Sequence, residues 1–306
     1  MDGRFAGRGC GPDLDQTGGH MNQGARTYLN QGEQAAERYA LGTPRLAPAG
    51  LAGATLSQRA GSSLEFKDHR AYEPGDDLRH IDWSAFARSD QLTVKLYREE
   101  VTPHLDVVID TSRSMNLEGT PKADATIALA AFFASAALRS GYTQTPWLLG
   151  ERCEPLPGGN RPPSQWEGLS FEHRGEIATR LPTWRARSTR VLISDLFWLG
   201  EPLRLVRPFA DRSATGIVVQ LLAREDAEPP EGQSVRLVDS ETDEVKELHV
   251  DAATARRYRE ALARHQQHWH EACRQVGAVF VTLIAEELLT HWNLDALVMA
   301  EVLQVR

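Results

Sequence analysis

Asp110, Ser112 and Ser114 occupy alternate positions in LDVVIDTSRSMN, where an apolar run gives way to polar residues. A carboxylate and two hydroxyls offer hard oxygen donors, the kind that hold magnesium, calcium or manganese. Magnesium asks for a near-octahedral shell and keeps several of its waters. A second acid, Asp195, closes another apolar run, VLISD. The plainer alternative is that these residues serve the backbone, because Asp and Ser after a strand accept loop amides and cap helices. The three-residue motif alone favours that alternative. An acid ending a second, independently recognised strand favours a shared site.

For these groups to meet, their strands must be neighbours. From His104 onward, HLDVVID, TQTPWLLG, TRVLISD, ATGIVVQLLA and AVFVTLIA read as strands separated by helices. That alternation predicts an α/β fold with a mostly parallel central sheet and helices on both faces. In such a sheet, loops leaving the carboxyl ends of the strands converge where strand order reverses. Thr120 as a cap and Pro121 as a first helical residue predict a helix through ADATIALAAFFASAALRSG, apolar nearly all round and ending at Gly141. An acidic, turn-rich insertion around residues 224–251 reads as a loop and a polar hairpin.

Residues 46–103 read as an extended arm with a short helix, and residues 1–45 as a disordered or weakly ordered tail. Within the arm, Arg70, Asp76, Asp77, Arg79 and Asp82 surround a Pro-Gly turn. Mixed Arg and Asp at a turn usually satisfy one another, so an ion-paired network anchored by Trp83 and Phe86 is the favoured reading. A partner-binding or hydrolytic surface made from the same residues is the alternative.

Composition narrows the classes. With 306 residues and 41% hydrophobic content the chain can bury a full core, and no run approaches the roughly 20 apolar residues that span a bilayer. A net charge of -8 argues against a nucleic-acid footprint. Three scattered cysteines and an amino terminus without a secretory apolar segment point to the cytoplasm. His265, His268, His270 and Cys273 cluster in sequence, but a helix would not put them on one face. There is no Walker lysine after LPGGNRPP and no Gly-x-Ser-x-Gly elbow.

IDTSRSM, the following Pro121-Lys122 and the later VLISD resemble the metal-ion-dependent adhesion site of von Willebrand factor A-type domains. The block EFKDHRAYEPGDDLRHIDWSAFARSDQLTVKLYREE resembles the signature of the bacterial domain of unknown function 58 family. The resemblance implies a von Willebrand factor A-like domain over residues 104–306. It makes Asp110, Ser112 and Ser114 the metal-facing trio and Asp195 an acid acting through water. Such sites also use a Thr ahead of the second acid's strand. In LPGGNRPPSQWEGLS the hydroxyls are Ser164 and Ser170, and Ser164 is the expected substitute. The family implies a non-enzymatic, magnesium-dependent interaction module, with a partner Asp or Glu completing the metal shell. It further implies an adaptor for a MoxR-type AAA+ ATPase in the assembly or maturation of other proteins. A metal-dependent hydrolase using Asp110, Asp195, Asp76 and Asp77 is the rival expectation.

Overall fold

The computed structural model describes residues 23–42, 64–99, 102–175, 177, 180–198, 200–238 and 245–306. The chain opens with α1 (Gln23–Ala35), which passes through a single 3-10 turn into β1 (Tyr39–Leu41). This corrects the weakly ordered tail expected to residue 45, of which residues 1–22 and 43–45 lie outside the description. Leu29 and Ala36 are fully buried. The helix escaped notice because QGARTYLNQGEQA is mostly polar; tertiary packing rather than an apolar stripe holds it.

The arm is an antiparallel pair, β2 (Leu64–Ala71) and β3 (Thr93–Glu99), with α2 (Trp83–Ser89) between the strands; residues 46–63 lie outside the description. There follow β4 (His104–Asp110), α3 (Lys122–Arg139), β5 (Thr143–Leu149), β6 (Cys153–Pro155), β7 (Thr189–Ser194), α4 (Pro202–Ala210) and β8 (Thr215–Leu222). The insertion holds α5 (Arg224–Ala227), β9 (Ser234–Val238) and β10 (Val245–His249), the last two paired as a hairpin whose tip, 239–244, lies outside the description. The chain closes with α6 (Ala252–Gln275), β11 (Val279–Ile284), α7 (Ala285–His291), α8 (Asp295–Met299) and β12 (Leu303–Val305). β12 pairs antiparallel with β1.

Six strands form the central sheet in the order β11, β8, β7, β4, β5, β6, all parallel except β6. Every residue of β4 and β7 is buried, which explains their unbroken apolar runs. Alternation divides the core: Val107 and Ile109 pack with α3, while Val108 packs with Leu205, Val206 and Phe209 of α4 and Trp269 of α6. α3 begins at Lys122, and the Thr120 hydroxyl donates back to the Leu117 carbonyl instead of capping the helix. No helix among the described residues is long and apolar enough to cross a membrane.

Candidate functional site

The strand order reverses at β4. Its own connection runs to β5 on one side, while its other neighbour, β7, connects onward to β8. The crevice between their carboxyl ends is the place where an open parallel sheet binds ligands. Asp110 is the last residue of β4 and Asp195 follows the last residue of β7; both are fully buried.

Asp110 Oδ1 accepts the Ser112 amide at 2.8 Å and Oδ2 accepts the Ser194 hydroxyl at 2.6 Å. The Ser112 and Ser114 hydroxyls stand 3.1 Å apart. Neighbouring oxygens of an octahedral shell with bonds near 2.1 Å lie about 3 Å apart, so this spacing suits magnesium. Burial, then the charge of Asp195, pushes the Asp110 carboxyl up to about 6, against the pull of hydrogen bonds from Ser194 and Ser112. A carboxylate so short of countercharge fits a cation. No group of three or more His, Cys, Asp or Glu able to hold a metal forms among the described residues, so an ion here would depend on the hydroxyls.

Asp195 is engaged differently from Asp110. Its Oδ1 accepts the Phe197 amide at 3.2 Å, and its Oδ2 lies 3.1 Å from the Lys122 ammonium. The same ammonium lies 3.0 Å from Asp226 Oδ2, and the Lys122 side chain is 1% exposed. Burial alone would lower its pKa, but Asp195 and Asp226 outweigh that and lift it above the ordinary value. Between these acids and α6, Leu196 sits in the left-handed region at φ 62°, its carbonyl accepting from His265 Nε2 at 3.0 Å. A cleft of about 730 Å³ opens beside the site, between the loop carrying Arg113, Asn116 and Thr120 and the insertion carrying Asp226.

Ser164 does not join the trio. Its amide donates to Glu33 of α1, and it makes no hydrogen bond to the trio or Asp195 among the described residues. The segment that reaches the Ser112 loop is the one through His173, which exchanges backbone hydrogen bonds with Thr111 and Arg113.

In the arm, Asp76 pairs with Arg70, and Asp77 forms a fork with Arg79 at 3.0 and 2.6 Å. Asp82 caps α2 by accepting the Ser84 and Ala85 amides and also meets His69 and Lys95. These hydrogen bonds lower the Asp77 and Asp82 carboxyls to about 2. Trp83 corrects its assignment as a buried anchor: it is 61% exposed, with its ring edge-on to Phe86 at 6.3 Å. Leu78 beside it is equally exposed.

Residues 68–162 match the family described as protein of unknown function DUF58. That span takes in most of the arm and the trio. Similar curated proteins include the uncharacterized protein Rv1480 of Mycobacterium tuberculosis and the uncharacterized protein Mb1516 of Mycobacterium bovis. Each is 26% identical over 253 residues, covering 76% of this chain and 78% of the relative. Among solved structures, the conserved hypothetical protein BatB from Bacteroides thetaiotaomicron aligns at 10% identity over 60% of this chain and 90% of that one, with a TM-score of 0.32. An aerotolerance-related membrane protein from Bacteroides fragilis aligns at 11% identity over 59% and 91%, with a TM-score of 0.33.

Three residues to which the sequence alone assigned no part complete the site and its surroundings: Ser194, Lys122 and Asp226. Ser194 was hidden inside an apolar strand. Lys122 entered only as the lysine that follows Pro121, with no partner assigned. Its only signal was position, one residue after the proline that follows the trio's loop.

Proposed function

We propose that this chain is a cytoplasmic, non-enzymatic interaction module on a von Willebrand factor A-like sheet, whose binding is gated by a divalent ion. Magnesium best suits the donors Asp110, Ser112 and Ser114, and calcium or manganese could replace it. The observation that carries the reading is the pairing of two hydroxyls at 3.1 Å with a buried carboxylate short of countercharge. An ion held by so few protein atoms keeps open positions, and a partner's Asp or Glu would fill one. The acids that a hydrolase would add, Asp76 and Asp77, are each committed to an arginine of the arm, which favours binding over catalysis. A MoxR-type AAA+ ATPase is the partner class that the family resemblance suggests.

The test has two arms. Magnesium should raise the melting temperature of the wild-type chain and leave Asp110→Asn unmoved, since an ion that binds only the native state stabilises it. Affinity capture with and without magnesium, on both proteins, should then return a partner only for wild type with the ion present. An ion-independent melt together with ion-independent capture rejects the proposal.

A further inference from the structure

Lys122 has no assigned role in the expected site, yet its charge is buried beside it. Its side chain is 1% exposed, and its ammonium lies 3.1 Å from Asp195 and 3.0 Å from Asp226. It also stands 5.9 Å from the centre of the Phe197 ring, which is within reach of a cation–π contact. An ammonium has three donors, and two are taken by carboxylates from different parts of the chain: the loop after β7 and the helix α5 that opens the insertion.

We propose that Lys122 is a resident cation with a place of its own between Asp195 and Asp226, so that a divalent ion at the trio does not draw on Asp195. This rests on the cation reading of Asp110, Ser112 and Ser114 and narrows its ligand set. Charge supports the division. Three carboxylates against one ammonium leave two negative charges when all are ionised, which one divalent ion neutralises. Geometry supports it as well, because both oxygens of Asp195 already have protein donors, Lys122 on one and the Phe197 amide on the other. A tethered ammonium cannot diffuse away, so Asp195 never waits for an ion. The same contact fastens α5, and with it the start of the hairpin insertion, to the end of the sheet.

Manganese(II) is a suitable probe, followed by calorimetry and paramagnetic resonance on the full chain and on Asp110→Asn, Asp195→Asn, Lys122→Met and Lys122→Met/Asp195→Asn. Asp110→Asn should lose manganese, while Asp195→Asn should keep the wild-type affinity within about threefold. Lys122→Met should gain about tenfold or take a second equivalent, and the gain should vanish in the double variant. The proposal is overturned if Asp195→Asn weakens binding as much as Asp110→Asn, or if Lys122→Met gains nothing. Manganese binding by Lys122→Met but not by wild type would uphold the resident cation and reject the trio as a metal site. Absence of binding in every variant rejects both. Should Lys122→Met fail to fold, Asp226→Asn decides, since its side chain is 20% exposed and outside the core. Hydrogen exchange across residues 224–251 should then rise above wild type, and unchanged protection overturns the proposal.

Discussion

Ser194 donates its hydroxyl to Asp110 Oδ2 at 2.6 Å, so the strand that leads to one acid of the site holds the other in place. The Ser194 hydroxyl oxygen in turn accepts the Leu196 amide at 2.9 Å. Ser194→Ala strips a buried carboxylate and a buried amide of their partners together. A loss of about 1–3 kcal/mol is expected from the denaturant midpoint, with the slope unchanged. An unchanged midpoint would mean that neither bond contributes.

Asp110 gives the protein a definite pH response when metal is chelated. Its folded carboxyl sits near 6, above the ordinary aspartate, so the folded chain binds this proton more tightly than the unfolded chain. Its contribution is therefore fully present below about pH 4 and is lost as pH rises through about 6, a difference of about 3 kcal/mol for two units. Asp110→Asn should thus be more stable than wild type near neutrality, and the gap should close toward about pH 4. Chemical melts at several pH values in chelator provide the check; a gap independent of pH would place the titration elsewhere.

Lys122→Ala should be among the most damaging single changes. It leaves Asp195 facing Asp226 with no cation between them, and breaking one partner of a buried pair costs about 3–5 kcal/mol. Thermal melts of Lys122→Ala and Lys122→Ala/Asp226→Asn should show partial rescue in the double variant, because one of the stranded charges is gone.

Trp83→Ala should barely change stability, by less than about 1 kcal/mol, because a largely exposed ring has little packing to lose beyond its contact with Phe86. A midpoint shift several times larger would show that the ring is covered in solution.

Gly32→Ala tests the packing of α1. An added Cβ would lie 2.1 Å from the Ala128 carbonyl oxygen and 2.9 Å from the Ala131 Cβ, with backbone rather than a flexible side chain in the way. Overpacking of this kind costs about 1–3 kcal/mol or more. Circular dichroism melts would register it, and a neutral result would mean that α1 can lift from α3 at no cost.

The strands were legible because burial on both faces leaves a continuous apolar run, and Asp110 and Asp195 were legible because each ends one. The mutual satisfaction of Arg70 with Asp76 and Arg79 with Asp77 followed from their mixed charge around a turn. Ser164 was misplaced because residue type cannot say which part of a long loop arrives: its amide turns to Glu33, while His173 further along meets the Ser112 loop. Trp83 was misread because aromatic character does not reveal burial, and no residue of its short helix is buried. Lys122 was invisible for a related reason: a lysine is buried only when distant acids come to meet it, and Asp226 lies in an insertion that local pattern does not attach to the sheet.

The ribbon of β1 and β12 joins Tyr39 to Val305 and Leu41 to Leu303, partners separated by roughly 260 residues of chain. Its closure must wait for the rest of the chain to supply the far strand, and contacts of such span are slow to form. During synthesis, α1 and Leu41 emerge early but acquire this edge only after β12 has left the ribosome. A released chain ending shortly before Leu303 would hold every strand of the central sheet, β11 included, with Leu41 lacking its β12 partner. Such a product would be visible to proteases and chaperones at one end while intact at the other.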